Sequence, residues 1–569
     1  MAFYIILLLL HSLNITRSHQ PHTASTSTHT HLTMATPGNL YVTMQPRPGL
    51  SLDQFHDWYN NEHGPTRLRI PQIFTNGLRY RATDGQTPEF LAAYDVTDMA
   101  LLETETYLTL RANRSPREAA TIAQVDVARY FYDLVHVEES PLFMPIEGLA
   151  DEEASGLVAV TTEITLKDTP EASALFEKWF VEEHVGFMSK MPGWLRSRLF
   201  RTSSLEPDQP TKYLSFHDLA KDNGLAAAEQ NAAAGNSWRN DDFDNSVAAR
   251  NRRVYSLFYT FGPAPRDLDP LSRLPDSASF TSSDSKTSTI AGPNPVISSF
   301  ITTQDSLAIP YRLEGNPAPG APTVVFCNSL LTSLHMWDAF VTILKTHRPH
   351  LRILRYDTRG RHAIPQPPVS ATLDTLADDL LTLLNALRIP KLDTLIGVSM
   401  GGATALNFAL KHPSRLSKLI ACDFNAASSP SNTQAWNDRV AIAEQDSGNG
   451  IKALAGQTVA RWFHPSSMEN PDLVRTMTDL VAANDVQGFK HSCTALSDYD
   501  MKPDMPACPV PGLFVVGEGD AKGALVKAMD GFKGLLGPNG TQLKIVPNTG
   551  HLPMFEDPQG FWEAVRNFI

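Results

Sequence analysis

Two segments of the chain repeat the same order of hydrophobic patterns. In each, an apolar run typical of a strand leads into a helix whose apolar residues recur every three or four positions. Two more strand-like runs, a second helical stretch and a closing strand follow. The first copy runs from "NLYVTMQ" to "ARYFYDLV", and the second from "GLVAVTTEIT" to "RRVYSLFYTF". Each copy therefore predicts the order β-α-β-β-α-β, a split βαβ unit.

The end of the first helix carries the phrase W-x-x-x-E-H in both copies. Its three residues match at a constant offset of 121, pairing Trp58 with Trp179, Glu62 with Glu183, and His63 with His184. In the first copy, the Gly-Pro pair directly after the phrase predicts that the helix stops there. A single sheet of this kind leaves an apolar face exposed, so two copies are expected to close on each other within one chain. Both tryptophans are predicted to be buried against their own sheets.

The repeat resembles the dimeric α+β barrel superfamily, in particular its EthD-like members. The resemblance covers about residues 38–262 and implies two ferredoxin-like repeats, at 38–137 and 155–262. His63 and His184 are candidate site residues in this barrel, because histidine titrates near neutral pH. We favour the alternative, in which the Glu-His pairs cap the helix end and fix the following turn.

Residues 263–295 differ from both neighbours in composition. The stretch is rich in Pro, Ser, Thr and Asp and can bury little apolar surface. It predicts a flexible linker, and therefore two halves that fold separately.

The first residues combine an apolar run, "MAFYIILLLL", with a polar low-complexity tract. The run is too short to span a bilayer and lacks a basic start. Residues 1–37 are therefore predicted to be an N-terminal extension, signal-like or disordered, and translation starts at Met1 or Met34. We expect a cytoplasmic protein, or a secreted one if residues 1–20 act as a signal peptide.

Residues 296–569 alternate short apolar runs with helical segments, which predicts a mostly parallel sheet covered by helices. Within them, "LIGVSMGG" matches G-x-S-x-G between a strand and a helix. Small residues are needed there because the serine lies on a sharp strand-to-helix turn. Ser399 is therefore the predicted nucleophile.

Two more residues complete the order Ser…Asp…His. Asp520 follows the apolar strand "LFVVG", and His551 lies in a Gly-His turn after "LKIV". His551 would take the serine proton and return it to the leaving group, while Asp520 would hold the imidazole tautomer. Asp423 is a rival for the acid, because it also follows an apolar strand. The oxyanion hole is predicted from the backbone N–H groups of Leu330 and Met400.

This half is similar to the α/β-hydrolases, and specifically to 3-oxoadipate enol-lactonases. The stretches that carry the resemblance are "FCNSLLTSLHMWD", "RYDTRGRH", "IGVSMGG", "LIACDFNAAS", "ARWFHP", "HSCTALSDYDM", "VVGEGD" and "GHLPMFEDP". It implies a helical cap at about 425–499 and a pocket that Trp337 and Trp462 line, unless they only pack the cap. Arg361-His362 departs from the usual D-x-R-G-H-G, so the family's own substrate is not carried over to this chain.

Net charge and cysteine content exclude some classes of binding partner. The net charge of −13 excludes an electrostatic footprint for nucleic acid or an anionic membrane surface. The four cysteines, all in the last half, indicate reduced thiols. No metal site and no cofactor is predicted, and the oligomeric state is open.

The sequence predicts a serine-type hydrolase of a small lactone or ester, in aromatic-compound or secondary metabolism. One alternative keeps the same three residues for C–C bond hydrolysis or acyl transfer. Another makes the barrel the active module, as a cyclase, isomerase or oxygenase with an accessory hydrolase domain. A binding scaffold is disfavoured, because all three predicted catalytic residues are present.

Overall fold

The computed structural model describes residues 35–228 and 241–569. Residues from Thr36 to Ile569 form one compact unit. The signal-like run and the choice between Met1 and Met34 lie outside the described residues. No helix in the described ranges has the length and apolar character that a membrane span requires.

Eight strands of the first half close into a barrel. They are β1 Gly38–Pro46, β2 Leu78–Ala82, β3 Phe90–Val96, β4 Val125–Glu139, β5 Val158–Leu166, β6 Trp194–Thr202, β7 Lys212–Leu219 and β8 Val247–Thr260. Their order around the barrel is β1-β3-β2-β8-β5-β7-β6-β4. The first copy (β1–β4) and the second (β5–β8) meet through the antiparallel pairs β2–β8 and β4–β6. Closure leaves no free sheet edge, as expected for a repeat that pairs within one chain.

The helices of this half lie between the barrel strands along the sequence. They are α1 Leu52–Trp58, α2 Gly64–Leu68, α3 Glu105–Ala112, α4 Pro116–Ile122, α5 Asp151–Ala154, α6 Ala172–Trp179, α7 Val185–Met188 and α8 Asp241–Ser246. The repeated β-α-β-β-α-β order is present in the structure, while the EthD-like assignment stays a prediction. Trp58 and Trp179 are only 1% and 2% exposed, which confirms that both are buried.

The repeated phrase does not end a helix. It forms one π-helical turn between two α-helical segments, Tyr59–His63 in the first copy and Phe180–His184 in the second. The predicted stop at Gly64-Pro65 is therefore wrong. The proline stands in the first turn of α2, where its missing N–H is tolerated. The predicted capping role of the Glu-His pairs is wrong for the same reason, because the helix continues past them.

The stretch 263–295 is not a flexible tether. It contains α9 Leu268–Arg273 and the short strands β9 Ser279–Thr281 and β10 Ser288–Ile290, which extend the sheet of the second half. Its low apolar content is offset by hydrogen bonds between side chains, such as Thr287 Oγ1 to Ser299 Oγ at 2.6 Å. The stretch that connects the two halves is therefore structured.

The sheet of the second half has ten strands in the order β18-β17-β16-β15-β13-β14-β12-β11-β10-β9. The further strands are β11 Val296–Thr302, β12 Ala308–Gly315, β13 Thr323–Cys327, β14 Arg352–Tyr356, β15 Leu392–Val398, β16 Leu416–Cys422, β17 Gly512–Gly517 and β18 Gln542–Val546. Neighbours among β13 to β18 pair in parallel. The predicted α/β class is confirmed.

Helices cover this sheet and a group of them forms a cap. They are α10 Asp338–His347, α11 Leu373–Ala386, α12 Met400–Lys411, α13 Pro430–Ala443, α14 Gly450–Trp462, α15 Pro465–Met468, α16 Pro471–Ala482, α17 Val486–Cys493, α18 Ala524–Phe532, α19 Pro553–Glu556 and α20 Pro558–Val565. The segments α13 to α17 lie between β16 and β17, where the cap was predicted.

Candidate active site

Ser399 lies at the sharp turn between β15 and α12. Its backbone has φ 58° and ψ −121°, a conformation that a non-glycine residue holds only at a cost of about 1–3 kcal/mol. The two glycines of the motif explain how the turn fits. A Cβ at Gly397 would meet the carbonyl oxygen of Gly401 at 2.0 Å, and one at Gly401 would meet that of Cys327 at 2.2 Å. The serine hydroxyl is thereby presented at the start of α12.

His551 and Asp520 form the acid–base pair beside it. Nδ1 of His551 lies 2.7 Å from Oδ2 of Asp520, and the two side chains are only 13% and 8% exposed. With Nδ1 engaged, Nε2 is the ring nitrogen left for the serine hydroxyl. Both residues line the same cavity as Ser399.

Glu556 fixes the loop that carries the histidine, a role that the sequence did not reveal. Its carboxylate accepts hydrogen bonds from the backbone N–H groups of Gly550, Leu552 and His464, at 3.0, 3.2 and 2.8 Å. The backbone N–H of His551 also donates to the carbonyl of Trp462 at 2.6 Å. The loop is thus tied to the cap on one side and to α19 on the other.

Asp423, the rival acid, lies next to Asp520 but does not hold the imidazole. Its Oδ1 accepts a hydrogen bond from the Gly517 N–H at 2.9 Å. Burial, together with the charge of Asp520, raises the pKa of Asp423 well above its usual value. Asp520, and not Asp423, makes the contact with Nδ1 of His551, which is consistent with Asp520 as the acid.

The predicted oxyanion donors lie where the loop after β13 meets α12. Met400 follows the serine and lines the cavity. Leu330 is buried in the loop, and the next residue, Leu331, has a positive φ of 69°. The carbonyl of Leu331 accepts a hydrogen bond from Asn484 of the cap at 2.8 Å. The cap thus holds this loop through Asn484, Leu330 is not among the residues that line the cavity, and the roles of the two N–H groups stay a prediction.

The cavity under the cap has a volume of about 240 Å³. Trp462 lines it and stacks on the His551 ring, with centroids 5.6 Å apart. Trp337 does not line it, so the predicted pocket role of Trp337 is wrong. This indole is fully buried against Phe326, and its Nε1 donates to Asn328 at 3.0 Å.

Two arginines of the cap, which the sequence reading passed over, also line this cavity. Arg439 lies over the ring of Trp436, 4.4 Å from its centroid. Burial and the charge of Arg439 lower the pKa of Arg461 to about 10. In the described part of the chain, no ion pair joins either guanidinium to a carboxylate. The cavity therefore combines a nucleophile with a positively charged wall.

The two histidines of the barrel are not equivalent. Nδ1 of His63 lies 2.6 Å from Glu118, and its ring packs against Trp58 and Tyr59, with centroids 4.9 and 4.7 Å away. Burial and the charge of Arg67 lower its pKa to about 3. In contrast, His184 lines a cavity in the second copy. The structure brings neither histidine into the cavity of Ser399.

Three potential metal ligands lie close together among the described residues. Asp423, Asp520 and His551 present ligand atoms within 4.8 Å of one another. They are the residues of the acid–base pair and the carboxyl group next to it, so this group has an explanation without a metal. The four cysteines are buried and free of disulfides, as the sequence indicated.

Comparisons with known proteins cover this half of the chain. A family model described as alpha/beta hydrolase fold matches residues 322–558. The C-terminal half has an α/β-hydrolase fold. 3-Oxoadipate enol-lactonase 2 of Acinetobacter baylyi is 29% identical over 267 residues, which are 47% of this chain and 94% of that protein. 3-Oxoadipate enol-lactonase 1 of the same organism is 29% identical over 270 residues, 47% of this chain and 96% of that protein.

Solved structures with similar folds include further hydrolases. The enol-lactonase from Burkholderia xenovorans LB400 is 30% identical, with a TM-score of 0.41, over 46% of this chain and 96% of that one. A thermophilic esterase from Thermogutta terrifontis is 26% identical, with a TM-score of 0.41, over 47% and 96%. The two curated relatives are named as enol-lactonases and the family model is that of a hydrolase fold, so the predicted enzyme class, a hydrolase of ester or lactone bonds, is confirmed at that level.

Proposed function

We propose that this chain is a serine hydrolase that cleaves a small, negatively charged lactone or ester through an acyl-enzyme. The observation that carries the proposal is the joint placement of Ser399, His551 and Asp520 in one cavity, with the serine on a strained turn and the imidazole bonded to the carboxylate. Two relatives named as enol-lactonases support the lactone class.

The reaction follows from the atoms at the site. Nε2 of His551 removes the proton from Ser399, whose Oγ attacks the substrate carbonyl. Asp520 stabilises the imidazolium that forms, and the N–H groups of Met400 and Leu330 bind the oxyanion. The imidazolium then protonates the leaving oxygen, which in a lactone stays attached to the same molecule. Water, deprotonated by His551, releases the acid from the serine.

The positive charge of the cavity indicates the charge of the substrate. Arg439 and Arg461 project from two cap helices into a space of about 240 Å³. A guanidinium presents several N–H donors in a plane that matches a carboxylate. Arg439 is half-buried and Arg461 is exposed, so both guanidinium groups are accessible to a carboxylate that enters the cavity. The substrate therefore carries a carboxylate at the end away from the scissile bond.

The proposal extends to the first half of the chain and to the metabolic role. The first half of the chain is assigned to the EthD-like barrels by the repeated phrase and the strand order that closes β1 to β8. A role in aromatic-compound or secondary metabolism rests on the fusion of that barrel to a lactonase-like half. The hydrolase cavity, and not the barrel, contains the nucleophile.

The test is a pair of measurements on the full chain. Wild type should be labelled by a fluorophosphonate probe, and Ser399→Ala should not be. Turnover of lactones and esters should fall by several orders of magnitude in this variant, because the acyl-enzyme no longer forms. Activity within about tenfold of wild type would remove Ser399 as the nucleophile. Activity on C–C bonds in preference to esters would replace the ester assignment while keeping the serine.

A further inference from the structure

The loop after β13 contains a tight turn at residues 329–332, here called the oxyanion turn because it carries the predicted donor Leu330. Its backbone N–H and the Oγ1 of Thr332 both donate to the carbonyl of Ser329, at 3.2 and 2.7 Å. Leu331, the third residue of the turn, has a φ of 69°, in the range that type II turns require there and that glycine adopts most easily. A leucine holds this conformation only where its surroundings offset the strain. The shape of the turn therefore depends on contacts from outside it.

Release of this strain would change the oxyanion turn at its centre. A type I turn has a negative φ at the third residue and differs from type II mainly by a rotation of the peptide group between Leu330 and Leu331. That rotation reverses the dipole of the peptide group that follows the Leu330 N–H. The N–H itself has no hydrogen-bond acceptor within the described ranges, although Leu330 is only 4% exposed, so it is available to an oxyanion. Because a displacement of about 1 Å can cost about 10²-fold in rate, the turn has to be held in place.

Two side chains from different parts of the hydrolase half reach the carbonyl of Leu331. Nδ2 of Asn484, in the cap, donates to it at 2.8 Å, and Nη1 of Arg361, in the loop after β14, lies 3.4 Å from it. The same two groups donate to the carbonyl of Leu480, near the end of α16, at 3.2 and 2.8 Å. One cluster of hydrogen bonds therefore joins the oxyanion turn, the cap and the loop after β14.

The loop that carries Arg361 is itself held against the cap. A Cβ at Gly488, on α17, would meet the carbonyl oxygen of Gly360 at 1.9 Å, so the two backbones are in direct contact. Ser492, on the same helix, donates to the carbonyl of Arg359 at 2.8 Å. The guanidinium of Arg361 therefore extends from a backbone that is fixed relative to the cap.

The residue after Arg361 supports the other end of the same loop. Nε2 of His362 lies 2.7 Å from Oδ2 of Asp357, and Oδ1 of this carboxyl group accepts the backbone N–H of Leu334 at 2.7 Å. Arg361-His362 is the pair at which this chain departs from the enol-lactonase pattern. The contacts that these two side chains make are thus a property of this chain.

We propose that Arg361 and Asn484 are positioning residues for the oxyanion hole. Through the carbonyl of Leu331 they hold the oxyanion turn in its left-handed form, and they thereby keep the N–H of Leu330 directed at the oxyanion. Because Asn484 belongs to the cap, the oxyanion hole is complete only with the cap in place. This inference rests on the proposed serine hydrolysis and deepens it, since neither side chain takes part in the acyl transfer itself.

The rate of fluorophosphonate labelling tests the inference in the full chain without a known substrate. The phosphonyl oxygen takes the place of the oxyanion while the serine is modified, so the labelling rate constant depends on the oxyanion hole. Arg361→Met and Asn484→Leu should each lower this rate constant about tenfold or more, since loss of one oxyanion donor costs about 10²–10³-fold. Thermal unfolding checks that each variant folds, and Asn484→Leu carries the test if Arg361→Met does not.

A second change separates positioning from packing. In a Leu331→Gly background the left-handed conformation has no steric cost, so Arg361→Met should lower the labelling rate constant by less than about threefold there. Leu331→Asn is the second background if the glycine variant does not fold, because asparagine also tolerates a positive φ. If Arg361 only supports the end of α16, the loss should be the same in every background.

Arg415→Met is the matched control. Arg415 also donates to backbone carbonyls of the hydrolase half, those of Pro390 and Ile389 at 2.6 and 2.8 Å, and neither residue lines the cavity. The control should leave the labelling rate constant unchanged.

Two results would overturn the inference while Ser399 remains the nucleophile. One is labelling of both Arg361→Met and Asn484→Leu at the wild-type rate. The other is an equal loss from Arg361→Met with and without Leu331→Gly. Absence of labelling in wild type would instead remove the proposed function, and this inference with it.

Discussion

Backbone strain at the active site is concentrated in single residues. Ser399, Asp423, Ala521 and Lys522 all have positive φ values, between 47° and 58°. Each such residue costs about 1–3 kcal/mol and persists only where its surroundings hold it. Here the surroundings are the carboxyl ends of β15, β16 and β17, where parallel strands bring the three loops together. These four strained residues lie at the edge of the sheet at which the candidate chemistry takes place.

The two neighbouring carboxyl groups should differ sharply in their effect on turnover. Asp520→Asn should lower kcat by about 10⁴-fold, since the amide no longer stabilises the imidazolium or the correct tautomer. Asp423→Asn is the matched control. It should reduce kcat by no more than about tenfold, because the carboxyl of Asp423 accepts the Gly517 N–H and does not hold the imidazole. Steady-state kinetics on one ester substrate measures both.

The reverse order of effects would show that Asp423 is the acid. Equal losses would show that the two carboxyl groups act as one unit. The sequence alone did not separate them decisively, because each follows an apolar strand. Only the contact of Nδ1 with Asp520 at 2.7 Å does so.

The arginines of the cap should determine charge preference. Arg461→Met should raise KM for an ester with a terminal carboxylate about ten- to a hundredfold, because a hydrogen bond to a charged group is lost. KM for the corresponding neutral methyl ester should change little. Arg475→Met, at an exposed cap position where Arg475 pairs with Asp472, is the control and should affect neither substrate. A uniform rise for both esters would assign Arg461 to packing and not to recognition.

At the scale of elements, the helices and strands of the repeat could be predicted, but the π turns could not. Periodicity shows that a helix is present, while the π turn depends on partners far along the chain. In the first copy Glu62 pairs with Arg117 at 2.8 Å and His63 with Glu118 at 2.6 Å, both on α4. Glycine and proline after the repeated phrase suggested that the helix ends there. The contacts with α4 instead accompany a helix that continues past them.

The buried histidines of the barrel should make its stability depend on pH. The pKa is lowered to about 3 for His63 and about 4 for His217, so both stay neutral in the folded state. The unfolded chain binds protons below about pH 6.5, and stability should therefore fall as pH drops from 6.5 towards 4. Each such group contributes at most about 1.4 kcal/mol per pH unit in this window.

Urea unfolding at several pH values between 7 and 5 measures this effect. His63→Gln and His217→Gln should each reduce the slope of unfolding free energy against pH, even where they lower stability at pH 7. A slope that neither variant changes would show that other groups cause the acid sensitivity.

At the scale of the whole molecule, composition predicted the wrong connection between the halves. A Pro/Ser/Thr-rich stretch lacks apolar surface, but its polar side chains find partners that the sequence does not reveal. Arg69 of the first half donates to Thr287 and Ser299 at 3.3 and 3.0 Å and lies 4.2 Å from the centroid of the Phe300 ring. The G-x-S-x-G turn, by contrast, is a local pattern, and the sequence predicted it correctly.

The contacts between the halves extend beyond this stretch. Arg388, at the end of α11, donates to Asp151 Oδ1 at 2.7 Å and to the carbonyls of Glu147 and Leu149. Arg266 binds the same Asp151 at 2.9 Å. A Cβ at Gly262 would meet the carbonyl oxygen of Ala386 at 2.5 Å, so the backbones are in close approach. These are buried or half-buried polar contacts, which are costly to break one at a time.

The halves should therefore stay together when the chain is cut. A protease site inserted in the β9–β10 turn, at residues 283–286, breaks the connection without touching Arg388 or Asp151. After cleavage, size-exclusion chromatography should show both fragments in one peak of the original size, because the interface contacts do not depend on the peptide bond. Arg388→Ala should release the fragments or lower their affinity about a hundredfold or more, since Asp151 and two carbonyls lose a shared donor.

Arg348→Ala is the matched control. It removes an arginine that donates to the carbonyls of Arg566 and Ile569 within the second half, and it should leave the fragments associated. Separation of the unmodified fragments would restore the flexible tether that the composition suggested.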